Sequence, residues 1–206
     1  MTVTRGDRRR TALLAALDEH LREAGPGARL DDINVADLSR RAGVTRSAFY
    51  FYFDNKAAAV AALMDEMYDE AWGAADLLGG DGSMRDRTAA AIRTVFDGWT
   101  QRPHVYRAML EARATSPAAR ERWEAHVASF VEVVAAVIDA ERVARQETGG
   151  PPAVAIATAL LDVNDRTLER FVRAGEDPGD AESFDWETHV DAVVHLWLST
   201  IYGSIR

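Results

Sequence analysis

Polar and aromatic side chains are concentrated between residues 34 and 56 of this 206-residue chain. At 100° per residue, four of them fall within an arc of about 140° on one side of a predicted helix. They are Arg46, Ser47, Tyr50 and Phe51. An arginine donates two hydrogen bonds to the edge of a guanine, and a serine hydroxyl pairs with several base edges. The residue types on this side therefore suit contact with nucleic-acid bases.

Two short helices joined by a glycine turn are predicted to carry these side chains. Asn34 is a favourable N-cap for the first helix, whose apolar residues recur at helical spacing. Gly43 supplies the left-handed residue that ends it. Thr45 caps the second helix, which runs through Phe53 and stacks Phe49 on Phe53 away from the polar side. A helix, a glycine turn and a second helix with a polar surface are typical of a helix-turn-helix unit that enters the DNA major groove.

At these residues the sequence resembles a known family. Residues 38–63, LSRRAGVTRSAFYFYFDNKAAAVAAL, resemble the DNA-binding segment of bacterial TetR-family repressors. Three further segments resemble the ethionamide-resistance regulator branch of that family: AAVIDAER (135–142), NDRTL (164–168) and HLWLSTIYG (195–203). The resemblance covers most of the chain from about Arg8. It implies a DNA-binding head and a helical body that takes a ligand.

Eight residues are candidates for DNA contact: Asn34, Thr45, Arg46, Ser47, Tyr50, Phe51, Tyr52 and Lys56. Arg46, Ser47 and Tyr50 are the base-edge and groove candidates. The family resemblance implies that the hydroxyls of Tyr50 and Tyr52 donate to phosphates, the alternative being that these rings only pack the head. Phe51 either contacts a thymine methyl or is buried. Lys56, in the first turn of the next predicted helix (helix 4, about residues 55–78), places a cation beside free amides and so suits a phosphate.

The charge of the chain is divided unevenly. The net charge is −9. Residues 1–56 contain ten Lys and Arg against eight Asp and Glu, a net of +2, whereas residues 57–206 contain fourteen against twenty-five, a net of −11. A slightly basic head on an acidic body confines attraction for phosphate to one end. We therefore expect residues 1–56 to form the DNA-binding domain and residues 57–206 the ligand-binding and dimerisation domain.

Helical patterns along the chain, with no sustained strand alternation, predict an all-α protein of about nine helices, and the composition fits a cytoplasmic one. With no cysteine, the chain has neither disulfides nor thiolate metal sites, which fits a reducing compartment. No signal peptide or membrane span is apparent. Residues 1–7 are predicted to be a loose arm. Besides the helix-turn-helix pair, the predicted helices span about 8–24, 55–78, 83–100, 103–114, 117–148, 153–174 and 185–205.

Aromatic residues on three predicted helices of the body accompany one buried asparagine. Asn164 lies among leucines and valines of helix 8, where it needs a hydrogen-bond partner to avoid a penalty of roughly 1–3 kcal/mol. It is either a satisfied core asparagine or the polar anchor of a ligand pocket. The resemblance implies the pocket, a long apolar channel. Its candidate lining is Trp99, Phe130, Val133, Val134, Asn164, Leu168, Trp197 and Ile201.

Catalysis and metal binding find little support in the sequence. The five histidines lack metal-ligand spacing, and no nucleophile or phosphate-binding motif is present. One predicted helix carries three acidic residues, Asp162, Asp165 and Glu169. Because Arg166 and Arg173 lie on the same helix, a salt-bridged surface is favoured over a cation site. We therefore expect neither an enzyme nor a cofactor.

The sequence best fits a homodimeric DNA-binding repressor. Dimerisation through helices 8 and 9 would match a near-palindromic double-stranded operator. A small apolar or amphiphilic effector would release the repressor from DNA. Two alternatives remain: a ligand carrier or enzyme on a helical bundle without DNA binding, and an activator that keeps the DNA-binding head. A steep salt dependence on generic duplex DNA would distinguish a DNA-binding protein from a carrier.

Overall fold

The structure, a computed structural model, describes residues 5–26, 29–75, 83–147, 149–174 and 185–202. Within these ranges the chain forms nine α-helices and one short 3-10 turn and contains no β-strand, which confirms the all-α prediction. In chain order the helices are α1 (Arg5–Ala24), α2 (Val35–Arg41), α3 (Arg46–Tyr52), α4 (Lys56–Ala75), α5 (Met84–Gln101), α6 (Pro103–Thr115), α7 (Pro117–Ala144), α8 (Ala153–Ala174) and α9 (Trp186–Tyr202).

The chain divides into two compact units. The first comprises Met1–Tyr68 and Arg102–Trp123, and the second comprises Asp69–Gln101 and Glu124–Arg206. The first unit therefore extends beyond residue 56, because α6 packs against α1 and buries residues such as Tyr106 and Met109. Assignment of DNA binding to residues 1–56 and of ligand binding to residues 57–206 stays a prediction about function.

Two ends of the predicted helices are corrected by the structure. The loose arm predicted over residues 1–7 is wrong for residues 5–7, which form the first turn of α1. Asp7 there is a favourable acidic residue at a helix N-terminus. Residues 1–4, and the predicted helix ends at 76–78 and 203–205, lie outside the described residues.

The predicted end of α7 at residue 148 is also wrong. The helix ends at Ala144, and Gln146 adopts a left-handed conformation with φ of 56°. The amide of Gln146 donates to the Val143 carbonyl at 3.1 Å, and that of Glu147 donates to the Arg142 carbonyl at 3.0 Å. This is the Schellman arrangement that ends many helices. A glutamine, rather than the usual glycine, occupies its left-handed position.

A half-buried carboxylate, that of Asp18, joins α1 to the start of α6 in the first unit. Arg102 donates from Nε and Nη2 to Oδ1 of Asp18 at 3.2 and 2.9 Å, and His104 Nε2 lies 3.0 Å from the same oxygen. Burial alone would raise the pKa of Asp18, but the hydrogen bonds from Arg102 and His104 outweigh it and lower the pKa. Asp18 therefore stays ionised and anchors the first residues of α6.

In the second unit, α9 packs against α5 and α8. Its buried side chains are Val190, Val193, Val194, Trp197, Leu198 and Ile201. At its start the Trp186 ring contacts Phe96 and Phe171, with centroids 5.4 and 4.5 Å away. At its end the Tyr202 hydroxyl lies 2.9 Å from Thr88 Oγ1. Contacts at both ends therefore hold α9 in this unit.

The turn between α2 and α3 depends on Gly43. Its φ is +65°, as the sequence predicts, and a Cβ added there would meet no atom within 4 Å. The Val44 amide donates to the Ser39 carbonyl at 2.9 Å and closes the end of α2. Since space is available, the requirement for glycine is one of backbone conformation alone.

We expect Gly43→Ala to lower the free energy of unfolding by about 1–2 kcal/mol, the cost of a left-handed alanine. Urea unfolding followed by circular dichroism measures it. Gly98→Ala is the matched control, because Gly98 lies within α5, has no positive φ and also has open space at Cβ. That change should leave stability unchanged or raise it by about 0.5–1 kcal/mol. Equal effects at the two positions would contradict the conformational explanation.

Candidate functional site

Asn34 sets the start of α2, the first helix of the predicted pair. Its side-chain oxygen accepts hydrogen bonds from the amides of Ala36 at 3.0 Å and Asp37 at 3.2 Å. Val35 and Leu38 of α2 are buried. The predicted N-cap is confirmed, and a DNA contact by Asn34 stays a prediction.

Thr45 has the same function at the start of α3. Its Oγ1 accepts from the Ala48 amide at 3.2 Å and lies 3.0 Å from Ser47 Oγ. On the inner side of α3, Phe49 and Phe53 are both buried, with ring centroids 5.4 Å apart. The prediction that Phe49 and Phe53 lie together on one side of the helix is confirmed, with their ring planes tilted by 57°. This buried pair orients α3.

The outer surface of α3 carries the residues chosen as base contacts. Arg46 and Ser47 are exposed, Tyr50 is 47% exposed and Phe51 is 81% exposed. The alternative that Phe51 is buried is therefore wrong, because its position on the short helix points away from the Phe49 side. The Arg46 guanidinium lies 5.8 Å from the centroid of the Tyr50 ring, within the range of a cation–π contact. This surface presents donors and rings that the head core does not use.

Tyr52 lies between the two sides of α3. It is half-buried, and its ring is 5.1 Å from that of Phe51 and 6.4 Å from that of Phe53. Both sequence interpretations of Tyr52, packing and phosphate contact, therefore stay open.

Lys56 begins α4 directly after the N-cap Asn55, whose Oδ1 accepts from the Ala58 amide at 2.8 Å. The Lys56 ammonium donates to the backbone carbonyl of Asp31 at 2.8 Å. No residue pattern signals this contact, because the partner is a backbone atom 25 residues away. An ammonium has three N–H donors, so one such bond leaves capacity for a phosphate.

Four of the DNA-contact candidates border one open depression of about 370 Å³ on the first unit. They are Asn34, Arg46, Tyr50 and Lys56, and Asp31 and Asp32 also border it. Two basic residues and two acidic residues therefore border the same depression. The remaining candidates, Thr45, Ser47, Phe51 and Tyr52, are positioned by α3 itself.

Asn164 and Trp197, two of the ligand-pocket candidates, are hydrogen-bonded to each other in the second unit. Trp197 Nε1 donates to Asn164 Oδ1 at 2.9 Å. Trp197 is 5% exposed and Asn164 is half-buried. The asparagine therefore has the partner that its apolar surroundings require.

The other pocket candidates are distributed over α5, α7, α8 and α9 of the same unit. Trp99, Leu168 and Ile201 are buried, and Val133 and Val134 are half-buried. The Phe130 ring is stacked on Trp72, with centroids 4.4 Å apart and planes 13° from parallel. Sequence reasoning missed Trp72, although its spacing of four residues from Tyr68 on α4 was a usable signal.

Glu169 belongs to a surface ion-pair group. Its carboxylate accepts from Arg166 at 2.9 Å and from Arg173 at 2.8 Å. Burial opposes ionisation, but the two arginines prevail and lower the pKa of Glu169. The predicted salt bridges are thus confirmed for Glu169. Within the described residues, no group of three or more His, Cys, Asp or Glu side chains could hold a metal ion.

This architecture, a helix-turn-helix unit joined to a helical body, is that of a DNA-binding transcriptional regulator. Residues 30–63 match the model of the bacterial regulatory proteins of the tetR family, and residues 88–203 match that of the C-terminal domain of transcriptional regulator EthR. The chain belongs to the TetR family of transcriptional regulators and has an EthR-type C-terminal domain.

Related proteins agree with this assignment. The HTH-type transcriptional regulator EthR of Mycobacterium tuberculosis H37Rv is 37% identical over 204 residues, covering 98% of this chain and 90% of its own length. The EthR of Mycolicibacterium smegmatis is 33% identical over 207 residues, covering 97% and 89%. These relatives are transcriptional regulators and not enzymes. The residues that the structure describes include no helix long and apolar enough to cross a membrane.

Solved structures share the fold at low identity. A putative TetR-family regulator from Syntrophomonas wolfei aligns with a TM-score of 0.73 at 14% identity, covering 96% of both chains. The regulator FadR of Bacillus subtilis, solved with stearoyl-CoA, aligns with a TM-score of 0.72 at 15% identity, covering 95% of this chain and 99% of its own.

Proposed function

We propose that this regulator is a homodimeric cytoplasmic repressor that binds a near-palindromic operator and is released by a small apolar or amphiphilic ligand. The observation that carries the DNA-binding part is the outer surface of α3. Arg46, Ser47, Tyr50 and Phe51 are exposed there while Phe49 is buried behind them. A short helix with a fixed inner side and exposed donors fits the major groove.

Arg46 and Lys56 have different tasks in this proposal. Arg46 contacts a base edge, and its approach to the Tyr50 ring limits the directions that its long side chain can take. Lys56 contacts a phosphate from the start of α4, where the helix N-terminus adds a favourable field. Base contacts carry sequence preference, whereas phosphate contacts carry affinity for any duplex.

We expect Arg46→Ala to weaken binding to the preferred duplex by about 1–3 kcal/mol and to relax sequence preference. Lys56→Ala should weaken binding to all duplexes alike. It should also reduce the slope of log affinity against log salt concentration by about one unit. The preferred duplex is obtained by selection from a random library with the wild-type protein. Fluorescence anisotropy against this duplex and a scrambled one, over a salt series, measures both quantities.

Lys56→Arg is the control that keeps the charge, and Arg46→Lys is the control that keeps the charge without the planar fork. The Arg46→Lys variant should therefore lose its preference for the selected sequence while it retains its affinity for the scrambled duplex. Identical specificity profiles for Arg46→Ala and Lys56→Ala would refute base contact by Arg46.

A ligand site in the second unit is supported by the Trp197–Asn164 hydrogen bond. This bond places a polar pair among buried apolar side chains of α8 and α9. The amide of Asn164 also carries an NH₂ group, which suits an acceptor on a ligand. The B. subtilis FadR structure, which shares this fold, contains stearoyl-CoA, a molecule with a long acyl chain. We propose an elongated apolar ligand with one hydrogen-bonding group near Asn164.

Because the indole of Trp197 donates to Asn164, Asn164→Leu should destabilise the protein by about 1–3 kcal/mol through a buried donor left without an acceptor. Trp197→Phe should destabilise the Asn164→Leu variant less than it destabilises the wild type, since in the double variant no indole donor is left unpaired. The free energy of unfolding of the two single variants and the double variant measures the coupling. Strict additivity would contradict a coupled pair.

The double variant also tests ligand recognition. A fatty amide and an alkane of equal chain length serve as probes. At a hundredfold excess over Kd, a bound probe raises stability by about 2.7 kcal/mol. The double variant should lose preference for the amide, whereas Trp197→Phe alone should keep it. Absence of stabilisation of the wild-type protein by either probe would contradict the proposed ligand class.

Dimerisation through α8 and α9 is supported by what these helices leave exposed. Each buries one side in the second unit, and each also exposes an apolar side chain, Val154 at 58% on α8 and Leu196 at 41% on α9. A partner covering these residues would bury further apolar surface. Because α9 also supplies core residues, a surface substitution isolates the interface better than removal of the helix.

Leu196→Glu should shift the protein from dimer to monomer in sedimentation at micromolar concentration, because an unpaired carboxylate in an apolar interface is unfavourable. Binding to the selected duplex should weaken with it. Val143→Glu, at a residue 78% exposed near the end of α7, introduces the same charge and should leave the dimer intact. A dimeric Leu196→Glu variant would contradict this interface.

A further inference from the structure

The 3-10 turn Leu30–Asp32, which directly precedes α2, is bound by side chains from two other helices of the first unit. The Leu30 amide donates to Oε2 of Glu111 in α6 at 2.8 Å. The Asp31 carbonyl accepts from Nζ of Lys56 in α4 at 2.8 Å. Two helices distant in sequence therefore bind backbone groups of adjacent residues in one short turn.

The turn also holds itself together. The Asp32 amide donates to the Arg29 carbonyl at 3.0 Å, and the Arg29 amide donates to the Asp32 carboxylate at 3.2 Å. Leu30 and Ile33 are 7% and 2% exposed, so both are inserted into the core. Asn34, the N-cap of α2, follows immediately. The position of the turn therefore determines where α2 begins.

The Glu111 carboxylate satisfies a group that would otherwise lack an acceptor. The first amide of a helical turn has no partner within the turn, and leaving it unpaired in a buried site is unfavourable. A carboxylate is a strong acceptor for such an amide. The other oxygen of Glu111 lies 3.5 Å from the Arg29 guanidinium, but Arg29 is 69% exposed and such a surface pair contributes little. The backbone contact is therefore the more important one.

We propose that Glu111 is a positioning residue for DNA recognition, acting through the Leu30–Asp32 turn and not by contact with DNA. The contact fixes the start of α2, and α3 packs directly on α2. Displacement of the turn would shift the base-contacting surface of α3 relative to the α4 phosphate contact at Lys56. This inference rests on the DNA-binding function proposed above.

Because Glu111 is charged, a positioning role and a purely electrostatic role predict opposite changes in DNA affinity when it is removed. Removing a carboxylate from the first unit makes that unit more basic, which by itself strengthens binding to any duplex. A positioning role predicts the opposite for the preferred duplex, because base contacts require the correct orientation of α3. Glu111→Ala removes both the charge and the acceptor. Glu111→Gln removes the same charge but keeps an acceptor oxygen for the Leu30 amide.

We expect Glu111→Ala to bind the selected duplex about tenfold more weakly, the loss corresponding to one charge-assisted hydrogen bond. Its affinity for the scrambled duplex should be unchanged or higher. Glu111→Gln should keep the affinity for the selected duplex to within about twofold. Glu121→Ala, at an exposed residue of α7, makes the same charge change elsewhere in this unit and should also stay within about twofold.

Amide hydrogen exchange reports on the turn directly. The Leu30 amide should exchange about tenfold faster in Glu111→Ala than in the wild type, and at the wild-type rate in Glu111→Gln. If Glu111→Ala does not fold, Glu111→Asp replaces it, because the shorter side chain keeps the charge and loses the reach. The Glu111→Asp variant should then show the same loss of affinity, confined to the selected duplex.

Two outcomes would overturn the proposal. One is a folded Glu111→Ala variant that retains wild-type affinity for the selected duplex. The other is a Glu111→Gln variant as weak as Glu111→Ala, since the acceptor would then be irrelevant. Failure of the wild-type protein to select any duplex is a different result. It would remove the DNA-binding function itself and is visible before any variant is made.

Discussion

Burial of Phe49 is the interaction on which the DNA-binding surface depends. An isolated helix of seven residues is only marginally stable in water, because so few hydrogen bonds do not offset the free energy of helix nucleation. α3 has that length, and it keeps its form because Phe49 and Phe53 are inserted into the core and Thr45 caps its first turn. The exposed arginine, serine and tyrosine are thus presented by a helix whose stability comes from its opposite side.

The second unit uses polar groups differently. Its core includes apolar side chains of α5, α8 and α9 that pack on each other. The indole of Trp197 and the amide of Asn164 satisfy each other within that core. A polar pair of this kind fixes side-chain orientation in a region that otherwise tolerates repacking. In the proposed function, the same pair recognises a ligand that must be distinguished from a plain hydrocarbon.

Local signals in the sequence were sufficient to predict the α-helices and the starts of several of them, although not the start of α1. Asn34, Thr45, Asn55 and Ser83 all cap helices, and each does so through amides two or three residues ahead. Gly43 likewise marks its turn by residue type. The end of α7 was missed because a glutamine occupies a position where glycine is the usual signal.

Long-range polar contacts could not be predicted in the same way. Asp18 meets Arg102 across 84 residues, and Glu111 meets the Leu30 amide across 81. Such pairs form only once the helices have packed, and their partners are often backbone atoms with no residue-type signal. For the candidate site, the sequence therefore predicted the side chains that present donors outward but not those that hold the turn beneath them.

The contact between Lys56 and Asp31 has a consequence for the chemical reactivity of the protein. Lys56 is the only lysine in the chain, every other basic side chain being an arginine. Apart from the α-amino group, an acylating reagent or acetyltransferase would therefore find one primary amine, at the start of α4. Acylation there removes the positive charge and leaves a single N–H in place of three. Amine modification of this protein is thereby directed to the boundary between the turn before α2 and the proposed DNA surface.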